Sequence, residues 1–313
     1  MPKSRAKLIS YVAAGFVVFF WAAAFPGVRY SLQYYSPVAI MLFRFLIASA
    51  VLLGYCVCKK IPPPRKGDLP LFMAAGFIGI FLYMWAFITG TSFVSAGISS
   101  FIISTAPLLT LILSIVFLKE KAGFSIWFGV LVGFGGIGII SFAQLAEGQL
   151  NIGILLLLAA ACCTSISTIV QKYILSRYTA IQSAAYSIAF AALCMSVFMP
   201  RLVREFLHVP MHVNLFVIYL GMFPAASAYF LWNLALSKAE KTVHVTSFMY
   251  IIPFLASVIA FFWLGEEMSA LALFGGVVII AGMVIINFRQ FRPAKQESAG
   301  ETVNANGSGH PID

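Results

Sequence analysis

Arg44 stands alone inside an apolar run, eight residues past Ser36. Eight helical residues span about 12 Å, which sets the guanidinium deep in a hydrophobic layer. A charge at that depth is costly and generally faces a protein interior. Two chemistries are open to it. It can attract a substrate carboxylate, or it can act as a structural lock that binds backbone carbonyls or reaches outward along its stem. Other polar and aromatic residues recur at helical spacing. Ser100, Ser104 and Pro107 fall at i, i+4 and i+7, as do Thr164, Thr168 and Gln171. Trp21 and Phe25, Tyr83 and Phe87, and Tyr229 and Asn233 are each four apart. Such spacing places each group on one helix face. Converging faces would form an aromatic, hydroxyl-lined pocket for a small amphiphilic molecule. The plainer alternative is that Ser and Thr hydrogen-bond within a helix bundle. Tyr83, Tyr229 and Tyr250 are expected in the cavity wall, because a buried phenol needs a partner.

The elements that carry these residues are membrane helices. The chain is 61% hydrophobic and 10% charged, with a mean hydropathy of +0.97. Ten apolar runs are long enough to span a bilayer: 8–30, 36–58, 69–89, 94–117, 123–142, 152–172, 179–200, 213–236, 243–264 and 270–288. The chain also echoes itself. Leu118, Glu120, Phe128, Gly129 and Gly136 return 146 positions later as Leu264, Glu266, Phe274, Gly275 and Gly282. Pro107 and Pro253 share that offset, as do Tyr83 and Tyr229. Arg29, Tyr30, Tyr35 and Ser36 return at an offset of 143 as Lys172, Tyr173, Tyr178 and Thr179. The expected architecture is all-α and integral to the membrane: ten helices in two inverted five-helix repeats, 1–150 and 151–288, then a polar cytoplasmic tail, 289–313. An odd number of helices per half inverts the second copy. Pro107 and Pro253 are expected to kink their helices as hinges or to shape the cavity. Glu120 and Glu266, at helix ends, read as capping or gating groups.

The formal charge of +10 is distributed by side. With the N-terminus inside, sixteen Lys and Arg fall on inner segments and Arg29, Arg201 and Arg204 on outer ones. This is the positive-inside pattern of a multi-pass plasma-membrane protein with both termini cytoplasmic. The basic charge faces anionic lipid and calls for no nucleic acid. Ala22-Ala23-Ala24 after a basic N-terminus resembles a signal-peptide cleavage site, but the ten-span count uses this segment. Cys56 and Cys58, and Cys162 and Cys163, sit in apolar runs without the further ligands a metal needs, so neither metal nor cofactor is expected. No span holds a Ser/His pair, an Asp pair or H-E-x-x-H, so the chain does not read as an enzyme. None of the ten acidic residues falls at mid-span, which weakens ion coupling through a buried acid. Gly129, Gly133, Gly136, Gly275 and Gly282 offer a face for a homodimer or for packing within the chain.

These features together resemble the EamA-type branch of the drug/metabolite transporter superfamily, over residues 8–288. The carriers are Trp21-Ala-Ala-Ala-Phe25-Pro26, Ser36-Pro37 with Arg44-Phe45, Ser95-Ala96-Gly97 through Pro107, Leu118-Lys119-Glu120, Tyr250-Ile-Ile-Pro253 and Leu264-Gly265-Glu266. The resemblance implies alternating access around a central cavity lined by the first, third, fourth, sixth, eighth and ninth helices. Lys119 departs from the pattern where the second copy has Gly265. The expected function is secondary transport of small organic metabolites, amino acids or related compounds first, with export favoured. Efflux of drugs or cationic amphiphiles is the second reading and a non-transporting scaffold the third.

Overall fold

The computed structural model describes residues 3–94, 96–119, 123–145, 152–265 and 270–291. The described residues are helical, without strands. We label α1 Lys3–Ser31, α2 Pro37–Cys58, α3 Lys66–Phe93, α4 Ala96–Ile103, α5 Ala106–Phe117, α6 Phe124–Leu145, α7 Ile152–Leu175, α8 Ala180–Phe206, α9 Met211–Lys238, α10 Thr242–Leu264 and α11 Ala270–Phe291. Among the described residues, α1, α2, α3, α7, α8, α9 and α10 are long and apolar enough to cross a membrane, and shorter apolar helices accompany them. The predicted tail beyond Phe291 lies outside the described residues.

Several helices are interrupted, and the π turns and proline breaks come in pairs. α3 passes through a π turn at Phe77–Leu82 and α9 through one at Gly221–Ser227. These turns end immediately before Tyr83 and two positions before Tyr229. Where the sequence leads one to expect Pro107 and Pro253 to kink continuous helices, the helices are broken just before them. Each sits in the first turn of a fresh helical segment, where its missing N–H costs nothing. A break at Ser104–Thr105 precedes Ala106, and a 3₁₀ stretch at Ser247–Ile251 precedes Ile252. Lys119 and Gly265 close these segments, and both adopt left-handed backbone, with φ of 53° and 67°. The Lys119 turn thus matches its glycine counterpart despite the side chain.

Packing runs mainly between residues before and after the 146–151 stretch. α1 lies against α9 and α10, α2 against α8 and the π turn of α9, α3 against α7 and α8, and α6 against α11. Close approach depends on glycine. A Cβ on Gly76 would lie 2.5 Å from the Ser187 carbonyl oxygen, and one on Gly221 would lie 2.8 Å from that of Arg44. At the α6–α11 crossing, a Cβ on Gly282 would lie 2.6 Å from the Gly133 nitrogen. These glycines therefore meet inside the chain.

Candidate functional site

The centre of the largest core is aromatic. Trp21 on α1 packs its ring against Tyr229 and Trp232 of α9, at centroid distances of 5.8 and 5.2 Å. Its indole N–H donates to the Pro224 carbonyl at 3.1 Å, inside the π turn. Phe45 meets Tyr229 edge-on at 5.9 Å. Phe25 meets Phe87 edge-on at 5.2 Å, and Phe87 stacks with Tyr83. Arg44, which precedes Phe45 on α2, neighbours the Tyr83 and Tyr229 phenols and is 1% exposed. Its Nε and Nη1 have no hydrogen-bond acceptor. Asp68 and Glu205, two of the acids among the described residues, are engaged with Arg177 and Arg201 at helix ends instead. The fold thus holds a buried guanidinium with free N–H donors inside an aromatic enclosure. Such a group is costly unless an acceptor, above all an anion, reaches it.

The other predicted residues divide between this centre and its surroundings. Asn233 accepts from the Ser183 hydroxyl at 2.7 Å and donates to the Tyr229 carbonyl at 2.8 Å, bracing the phenol's helix. Ser104 and Thr168 bond back to the carbonyls of Ser100 and Thr164, at 2.8 and 2.9 Å, as helical hydroxyls commonly do. Tyr250 is placed elsewhere. It is fully buried in a second cluster with Leu111, Ile126, Val130 and Ile286, against Gly133, and its hydroxyl has no partner. Glu120 and Glu266 lie outside the described residues.

Two clusters missed in the sequence lie at opposite ends of α2, which at 22 residues is about 33 Å long. At one end the Tyr35 hydroxyl donates to Asn214 Oδ1. Burial first, then Glu205, pushes the Tyr35 phenol up to about 12, so it remains a donor at physiological pH. Beside it Glu205 accepts from the Ser36 N–H at 2.8 Å and the Ser36 hydroxyl at 3.0 Å, capping α2 from another helix. A cavity of 480 Å³ adjoins this end, lined by Arg29, Gln33, Tyr35, Ser36 and Ser92 among others. At the other end the Tyr178 hydroxyl donates to Asp68 Oδ2 at 2.7 Å, and Arg177 Nη1 donates to Oδ1 at 2.9 Å. Tyr35 and Tyr178 share the 143 offset, and Asp68 and Asn214 the 146 offset. Arg29 and Lys172, another echoed pair, cap equivalent helix ends. Arg29 donates to the Thr91 carbonyl at 3.1 Å and Lys172 to the Leu236 carbonyl at 2.9 Å. The echo foretold which residues pair in type but not which partners they take.

Residues 8–142 and 151–288 each match the EamA-like transporter family. The chain belongs to that family. Its members are transporters, not enzymes, and the apolar helices make this a multi-pass integral membrane protein. It is 34% identical over 263 residues to "Uncharacterized transporter YdfC" of Bacillus subtilis (strain 168), covering 84% of this chain and 86% of the relative. It is 30% identical over 278 residues to a protein of Streptantibioticus cattleyicolor named "Probable terminal-alkyne amino-acid exporter", covering 89% and 93%. A solved crystal structure superposes with a TM-score of 0.71 at 17% identity, over 93% of this chain and 99% of that one. That likeness concerns the fold alone.

Proposed function

We propose that this EamA-family chain is a secondary transporter that exports amino acids or closely related carboxylates across the plasma membrane by alternating access. The observation that carries the reading is the Arg44 guanidinium, buried among aromatic rings with two nitrogen atoms lacking acceptors. A substrate carboxylate supplies the missing acceptor, and the Trp21, Trp232 and Tyr83 rings suit an apolar side chain. The relative named as an amino-acid exporter supports the same class. In this reading α4 and α5 form one broken span, so the described helices make ten spans in two inverted five-helix repeats. The paired π turns, paired proline breaks and reciprocal Tyr35–Asn214 and Tyr178–Asp68 bonds support that symmetry. The charge distribution supports cytoplasmic termini.

The test is a thermal-shift series on purified protein with amino acids and their decarboxylated amines. A ligand that binds the folded state raises its apparent stability. Stabilisation by the acids but not the amines, lost in Arg44→Gln, is the expected result. Equal stabilisation by the amines would remove Arg44 from recognition. It would favour amphiphile efflux, for which the 550 Å³ apolar pocket lined by Phe16, Phe20, Tyr55, Phe223 and Phe230 among others is the supporting feature.

A further inference from the structure

We propose that the clusters at the two ends of α2 are the gates of the transport cycle and that they are chemically unequal: the Asp68 end is held by an ion pair between the halves, and the Asn214 end by hydrogen bonds and aromatic contacts without one. The inference rests on the transport reading, because alternating access requires the halves to part at one face while staying joined at the other.

Each end joins residues from both halves. At the Asp68 end, Tyr178 and Arg177 bond the carboxylate, and the Arg65 N–H donates to the Tyr178 hydroxyl at 3.1 Å. Nearby in sequence, the Tyr173 hydroxyl donates to the Phe117 carbonyl at 2.9 Å, which tethers the last residue of α5. At the other end, Tyr35 bonds Asn214, and the Tyr30 ring packs 5.7 Å from Trp263, next to the last residue of α10. Tyr30 and Tyr173 are separated by the 143 offset, and Phe117 and Trp263 by 146. Each tethered segment begins at a proline-marked break, Pro107 in one and Pro253 in the other. It is therefore hinged at one end and latched at the other.

The two latches differ at the isosteric pair Asp68 and Asn214, and at Arg177, whose counterpart at the 143 offset is Tyr34. Asp68 carries a charge and pairs with an Arg177 side chain that is 68% exposed. Asn214 carries none. Glu205 is charged at the Asn214 end, but its ionic partner Arg201 lies on its own helix, and it reaches across only to Ser36. An exposed ion pair weakens as salt rises; a phenol–amide bond and a ring contact respond far less. Salt at the Asp68 face therefore eases that gate alone.

The experiment is sided thiol labelling in reconstituted vesicles. The five native cysteines are replaced by alanine, and Tyr83→Cys reports on the central site. A membrane-impermeant maleimide is added at either face, at low and at high salt. Tyr178→Phe should raise labelling from the Asp68 face about tenfold, the loss expected for one charge-assisted bond, and leave the opposite face unchanged. Tyr35→Phe should raise labelling only from the Asn214 face. Salt should act only from the Asp68 face, and Asp68→Asn, which keeps a neutral bond to Tyr178, should abolish that response. Equal gains from both faces, or no gain in variants whose melting shows them folded, would overturn the proposal and leave the clusters as static staples. A sided response in a protein that binds no carboxylate would retain the gates and reject only the substrate class.

Discussion

Replacing Arg44 with methionine should make the protein more stable and inactive at once. The side chain is 1% exposed, and two of its nitrogens have no acceptor, so in the absence of substrate the fold carries its desolvation largely uncompensated. Exchanging even a paired buried charge for apolar groups of similar volume is often neutral or stabilising by about 1–4 kcal/mol, and a guanidinium with two nitrogens lacking acceptors has less pairing to lose. For a chain of this size each kcal/mol moves the melting midpoint by roughly 2 °C, which gives an expected rise on the order of 2–8 °C. Methionine is the suitable replacement because its flexible stem fills the space between the rings. The assay is melting in detergent, followed by flux of a stabilising amino acid into liposomes. Arg44→Met should melt higher, show no ligand-induced shift and transport nothing. A fall of several degrees would refute the reasoning, because it would mean that the guanidinium holds the fold together.

Gly282→Ala should lower the melting temperature by several degrees, because its Cβ would lie 2.6 Å from the Gly133 backbone nitrogen and overpacking costs about 1–3 kcal/mol. Lys119→Gly should raise it slightly, since the left-handed backbone at φ 53° costs a side-chain-bearing residue roughly 1–2 kcal/mol; the same melting assay reads both variants. Thr179→Ala removes a capping box in which the Gln182 side chain accepts the Thr179 N–H at 3.0 Å. It should cost about 0.5–2 kcal/mol in a denaturant titration.

The helices were legible because a bilayer demands long apolar runs, and α1, α2 and α7 fall where those runs predict. Internal duplication was legible because its pairs keep a fixed offset. The bonds were not, since Tyr35 and Tyr178 each find their partner in the other half, a distance that local pattern does not encode. The π turns escaped as well: no local pattern marks Gly79 or Gly221, and only the fold shows that they lie against Ser167 and Arg44. Tyr250 shows the limit of periodicity. Its spacing from Pro253 resembles that of Ser104 from Pro107, yet it is buried in the second cluster against α6.

The dependence of each half on the other has a consequence for biosynthesis. Most of α2's packing is against α8 and the Gly221 turn, and most of α1's is against α9 and α10. During synthesis the early helices must therefore wait in the bilayer, with polar groups such as Arg44 unshielded, until the chain beyond Gly221 has been inserted. Severed between 145 and 152, the two fragments would be expected to rebuild a working molecule only when made in the same membrane.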